Sequence, residues 1–203
     1  MKNLAKIIFC FILFLLIFSC EKSKVIDLKS EEEITILIQP FEDVKPKQLT
    51  EISENIRKIY PKIKILKPIK FPQNTYYEPR NRYRADSIIK YLRTKTPNNC
   101  VTLALTNKDI SVTKGKVADF GVMGLGYRPG NACVASSFRL NPKNKNEQFY
   151  KIAINELGHT QGLKHCPDKT CFMRDAEGKN PTNEEKDFCQ NCKKVLRSKH
   201  WKI

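Results

Sequence analysis

No stretch of this sequence is apolar for long enough to cross a bilayer: the longest run, Ile7 to Phe18, has twelve residues, and a span needs about 20. That shortfall argues against an anchoring transmembrane helix. Dense basic blocks are missing, and so are basic segments interleaved with aromatics. The net charge of +16, from 37 lysines and arginines against 21 aspartates and glutamates, is therefore read as a solvated surface. Nucleic acid is excluded as a partner, and attraction to lipid head groups is the use that remains. Internal repeats and low-complexity tracts are absent, which leaves a single domain within the 203 residues. Histidine is scarce, with three in the whole chain, so an ordered placement of two of them carries information.

What is present starts at the N-terminus. Lys2 and Lys6 precede the apolar run, which ends in Ile17-Phe18-Ser19-Cys20, a small residue before a cysteine. This is the pattern of a bacterial lipoprotein signal, with residues 1–19 removed and the Cys20 thiol lipidated. Residues 20–32 are charged, lack apolar periodicity and suit a tether. The folded domain then occupies residues 33–203. The expected location is the cell envelope, where the chain is a monomer held on a bacterial membrane outside the cytoplasm by its lipid. Of the eight cysteines, Cys10 leaves with the signal and Cys20 takes the lipid. Cys100, Cys133, Cys166, Cys171, Cys189 and Cys192 remain, and an even number outside the cytoplasm first suggests disulfides.

Ile34 to Ile38 is short and rich in β-branched residues, a strand. Leu49, Ile52, Ile56 and Ile59 form one helical face before Pro61, and Ala85, Ile88, Ile89 and Leu92 form another. Ile63, Ile65 and Ile69 share one parity and suggest a strand or edge ribbon. Cys100 to Leu105 reads as a buried strand. Gly121 to Gly130 holds four glycines and Pro129, so a turn or irregular edge is expected there, leading into a strand over Ala132 to Phe138. Phe149, Ile152, Ala153 and Leu157 set out a helix continuing to about Gly162, and a last helix is expected over Asn183 to Arg197. Strands and helices are mixed and then followed by a helix and a cysteine-bearing tail, which gives a single α+β domain.

The decisive stretch is Asn155-Glu156-Leu157-Gly158-His159-Thr160-Gln161-Gly162-Leu163-Lys164-His165. Asn155 and His159 are one helical turn apart, on one face and within reach of one ion. Glu156 lies beside that face, where it can hold a water at the metal. Gly162 lets the backbone leave the helix with positive φ, and His165 arrives three residues later as a further ligand. This is the HExxHxxGxxH pattern with Asn155 in the place of the first histidine. Further on, Cys166-x4-Cys171 and Cys189-x2-Cys192 form two close pairs that can bite one zinc tetrahedrally, the rival reading being two disulfides. Cys100 and Cys133 fit either a disulfide or buried free thiols.

Asn155 to Cys192 resembles the archaemetzincins, a family of the metzincin clan. The likeness lies in His165-Cys166, in Cys171-Phe172-Met173 and in Cys189-Gln190-Asn191-Cys192. It extends upstream through Arg80-Asn81-Arg82-Tyr83 with Ala85, and through Val134-Ala135-Ser136-Ser137-Phe138-Arg139-Leu140. The resemblance implies a metzincin-like domain with a mixed twisted sheet packed on an active-site helix and a zinc-binding C-terminal tail. It also implies a zinc metallopeptidase acting on peptides or proteins. Glu156 would be the general base, Met173 would form the turn beneath the metal, and the four cysteines would hold a second, structural zinc.

Asn155 leaves two outcomes open, because a carboxamide oxygen is a harder and weaker donor to zinc than an imidazole. If Asn155 Oδ1 or another donor completes the site, zinc polarises a peptide carbonyl while Glu156 takes a proton from water, and the chain is a hydrolase. If zinc is not held there, the chain is a peptide-binding envelope module folded around the structural zinc alone.

Overall fold

The computed structural model describes residues 32–203; the signal, Cys20 and the tether up to residue 31 lie outside them. Strand β1 (Thr35–Pro40) is followed by helix α1 (Pro46–Ile59) and then by the short strands β2 (Ile63–Ile65), β3 (Tyr76–Tyr77) and β4 (Arg82–Arg84). Helix α2 (Ala85–Arg93) leads to β5 (Cys100–Thr106), β6 (Ile110–Lys114), β7 (Val117–Val122), β8 (Gly124–Gly126) and β9 (Ala132–Ser136). Helices α3 (Lys145–Thr160) and α4 (Gln190–Arg197) complete the chain. Among the described residues no helix is long and apolar enough to cross a membrane.

Five strands form one sheet in the order β2-β1-β5-β9-β8. Its first four strands run parallel, and β8 alone runs antiparallel, against β9. The inner strands β1, β5 and β9 are covered on both faces, which is why β1 and β5 read as nearly unbroken apolar runs in the sequence. Alternation along each strand feeds two cores. Ile36, Ile38, Leu103, Cys133 and Ala135 point into the larger, which Ile52 and Ile56 of α1 and Phe149 and Leu157 of α3 complete. Ala104, Ala132 and Val134 point the other way, onto Ile88, Ile89 and Leu92 of α2. Each fully buried Ile or Leu contributes about 1.5–3 kcal/mol of transfer free energy.

Most elements lie where the sequence patterns predict, with three differences. The last helix is shorter than Asn183–Arg197, because residues 183–189 give their backbone groups to a neighbouring loop. Lys186 N donates to Thr170 O at 2.8 Å and Phe172 N donates to Asp187 O at 3.0 Å, so no helix can start before Gln190. The glycine-rich segment is in part the regular edge strand β8. The strand after it stops at Ser136, two residues short of Phe138.

A second sheet, ordered β3-β4-β6-β7, has no counterpart among the sequence predictions. Its strands are short and half-exposed, and β4 is charged at every other residue. β7 passes through Met123 directly into β8, so one segment leaves the small sheet and becomes the edge of the large one. Helix α3 packs against β9, β8 and α1, which brings its C-terminal half beneath that edge.

Candidate active site

Asn155, Glu156 and His159 all stand on the last two turns of α3. The helix stops after Thr160, and Gly162 takes φ +95, the left-handed conformation that glycine adopts without Cβ strain. Leu163 N then returns to Gly158 O at 3.1 Å, a bond of Schellman type that closes the helix end. This exit turns the chain so that His165 meets His159 edge to face, with ring centroids 4.8 Å apart.

Each of the three side chains is tied from behind. His159 Nδ1 lies 2.8 Å from Leu163 O, and a carbonyl can only accept, so Nδ1 carries the proton and Nε2 keeps its lone pair. His165 Nδ1 faces Asp175 Oδ2 at 3.2 Å. The Asn155 amide nitrogen donates to Phe172 O at 2.7 Å, which leaves Oδ1 as its unused acceptor. Burial is the first cause lowering the pKa of His159, and the Leu163 carbonyl opposes it; a neutral ring results, as a metal ligand requires. The carboxyl of Asp175 is held below its usual range first by the Glu177 N–H and then by the neighbouring His165.

Glu156 is buried beneath β8, and burial pushes its carboxyl up to about 8. The two glycines of β8 make this burial possible. A Cβ at Gly124 would collide with the Glu156 carboxylate, and a Cβ at Gly126 would lie 2.7 Å from Glu156 O and 3.1 Å from His159 Cβ. Beneath the helix, a Cβ at Gly158 would overlap the Met173 sulfur, so the sulfur lies directly under the Glu156–His159 turn. Asn155, Glu156, His159 and His165 line a cavity of about 590 Å³, bordered by β8 on one side and by Arg174 to Glu177 on another.

The four tail cysteines converge as well. All four Sγ atoms lie within 4.8 Å of one another, with Cys166 to Cys189 at 3.5 Å and Cys171 to Cys192 at 3.8 Å. Sulfurs at tetrahedral corners around zinc, at about 2.3 Å from the ion, would be roughly 3.8 Å apart. Bonded disulfide sulfurs are about 2.05 Å apart, and all six described cysteines are free. Met173 N and Cys189 N both donate to Cys171 Sγ, at 3.4 and 3.2 Å, as suits a thiolate ligand. Cys100 and Cys133 do not meet. Cys133 pairs with Leu103 across the sheet, three residues or about 10 Å along β5 from Cys100, beyond disulfide reach.

The sequence thus brings Asn155, Glu156, His159 and His165 into one cavity, with Met173 buried beneath it, and the four cysteines into a separate cluster. It says nothing of Asp175, Gly124 or Gly126. Asp175 sits in an irregular loop without periodicity. The glycines carried a signal, a glycine-rich run before a strand, that marks close backbone approach as well as a turn.

Comparison with solved structures defines the class. The crystal structure of archaemetzincin from Archaeoglobus fulgidus, complexed with malonate, superposes with a TM-score of 0.69 at 28% identity, covering 80% of this chain and 99% of that one. That of archaemetzincin from Methanopyrus kandleri gives 0.69 at 25%, covering 86% and 98%. The fold is that of the archaemetzincins, and the chain is an archaemetzincin-like zinc metallopeptidase.

The sequence comparisons agree. Archaemetzincin from Archaeoglobus fulgidus is 30% identical over 167 residues, 80% of this chain and 98% of the relative, and that from Methanopyrus kandleri is 30% identical over 154, covering 71% and 83%. A profile of peptidase family M54 matches residues 32–198, and this chain belongs to that family.

Proposed function

We propose that this chain hydrolyses peptide bonds in the cavity between β8 and α3, with Glu156 as general base and a zinc ion held by His159 Nε2, His165 Nε2 and Asn155 Oδ1. The observation that carries the reading is the set of rear hydrogen bonds. Each candidate ligand spends one N–H on a fixed acceptor and keeps one acceptor atom free, the arrangement that orients metal ligands. The bound ion would supply Lewis acidity, polarising a carbonyl and lowering the pKa of water.

The protein's own groups do the rest. Glu156, on the turn of α3 that carries Asn155 and His159, is placed to take a proton from water and return it. β8 is the edge of its sheet, so its outward N–H and C=O groups can pair with an extended peptide and lay it across Glu156. Met173 supports the turn of α3 that carries Glu156 and His159. The four cysteines would hold a second zinc that fixes the 166–192 tail, and with it Phe172 and Met173. The lipid on Cys20 would keep the monomeric domain at the cell envelope; mass spectrometry of the N-terminal peptide from the membrane fraction tests that part.

Non-denaturing mass spectrometry of the purified chain is expected to find two zinc ions, and Glu156→Gln is expected to remove peptidase activity while both ions stay bound. A single ion that survives His159→Ala would overturn the reading. The weaker donor strength of a carboxamide favours one second reading, a peptide-binding module without hydrolysis. In that case Asn155→His creates hydrolysis where the parent has little, and a parent as active as that variant rules it out.

A further inference from the structure

Two guanidinium groups in the cavity have no task in the chemistry above. Arg139 follows β9, and its Nε and Nη2 donate to the two carboxylate oxygens of Asp109 at 2.8 and 2.9 Å. This bidentate clamp fixes the plane of the group. Asp109 is buried and also lies 3.2 Å from Arg82, whose guanidinium is shared with Asp119 at 3.3 Å. The clamp uses two of five N–H donors. The rest have no partner among the described residues, and the side chain, 36% exposed, lines the cavity. Gly121 of β7 makes room for it, since a Cβ there would occupy the space of the guanidinium.

Arg128 stands at the other end of the edge strand, two residues beyond Gly126, and lines the same cavity. No hydrogen bond or ion pair holds it among the described residues. Its charge reaches His159, where it disfavours the protonated ring. Gly121 lies three residues before Gly124, roughly 10 Å along an extended chain. The two cations therefore bracket the glycine that covers Glu156, along the direction an added strand would take. Of the other charged groups lining the cavity, Asp175 is engaged by His165, Arg174 by Glu184 and Lys114 by the Phe120 ring, while Lys179 is offset by Glu177 and Glu185 among the same lining residues.

We propose that Arg139 and Arg128 make this cavity selective for peptides that carry a carboxylate within a few residues of the scissile bond. The carboxylate comes from an Asp or Glu side chain or from the peptide's own C-terminus. The proposal rests on the reading of the cavity as a peptide site. An immobilised guanidinium with free N–H groups is a fork that matches a carboxylate and loses little entropy on binding one.

Binding is measured by fluorescence anisotropy on the full chain carrying Glu156→Gln, so that no probe is consumed. Three labelled decapeptide pools serve as probes: amidated with Asp and Glu, amidated with Asn and Gln in their places, and neutral in side chain with a free C-terminal carboxylate. At least one carboxylate-bearing pool is expected to bind about tenfold tighter than the neutral amidated pool. Which of them does so identifies the source. Arg139→Gln and Arg128→Gln should each remove most of that advantage, with Arg139→Lys restoring only part of it. Arg128 has no partner to lose among the described residues, so its variant remains informative if substitution at Arg139 disturbs the fold. Equal binding of all pools, or a preference that survives both substitutions, overturns the selectivity while leaving the peptide site intact. Binding of no pool overturns the peptide site and the selectivity with it.

Discussion

Gly158 of α3 and Met173 of the tail loop are in such close contact that any side chain at 158 would displace the Met173 sulfur. Met173 is completely buried and has nowhere to move. The contact joins the helix that bears Glu156 and His159 to the loop that bears Cys171.

Gly158→Ala tests that contact. Alanine in a helix interior ordinarily gains about 1 kcal/mol over glycine, but overpacking here should reverse the sign and cost about 1–3 kcal/mol. Denaturant unfolding measures it. Adding Met173→Ala should return part of the loss, because the two residues are in direct contact and their effects are not additive.

Asn155→Asp keeps size and replaces the amide donor by an acceptor. The variant would set a carboxylate oxygen against Phe172 O, which now accepts at 2.7 Å. A stability loss of about 1–3 kcal/mol is expected from the unpaired groups. Zinc affinity, read by competition with a chromophoric chelator, should fall as well. A gain in affinity from the added charge would show that the rear bond does not orient this side chain.

Cys192→Ser removes one corner of the sulfur cluster, whose Sγ atoms lie within 4.8 Å of one another. One zinc equivalent should be lost, and Tm should fall by at least about 10 °C, because structural zinc contributes directly to folding. Metal analysis together with calorimetry checks both.

Glu185 is buried beside the cavity, and burial pushes its carboxyl up to about 7, against the opposing charges of Lys151 and Arg174. Its folded pKa exceeds the unfolded value of 4.5, so the native state binds the proton more tightly. The stability this contributes is complete below pH 4.5 and is lost as pH rises through about 7. Glu185→Gln should therefore show a smaller drop in stability between pH 5 and 8 than the parent, measured by urea unfolding at each pH.

Much of the fold could be read from spacing alone. Apolar steps of three and four marked α1, α2 and α3, and β-branched runs marked β1 and β5, because core burial imposes those periods directly. The half-exposed strands of the small sheet left no such mark. Residues 183–189 misled for another reason: their helical composition lost to hydrogen bonds with residues 170–172, which lie nearby only after the tail has folded. The site divides in the same way. Asn155, Glu156, His159 and His165 are close in sequence and bound by helical geometry, so their grouping was legible. Arg139 meets Asp109 across thirty residues, and neither stands in a pattern that points to the other.

The sequence by itself determined which atoms could grip a metal, since ligand types spaced at a helical turn and in close cysteine pairs allow few other uses. Only the tertiary structure decided which way those atoms face. The rear bonds from Asn155, His159 and His165 go to Phe172 O, Leu163 O and Asp175. Two of those acceptors lie ten or more residues away in sequence and come within hydrogen-bonding distance only once the tail has packed against α3.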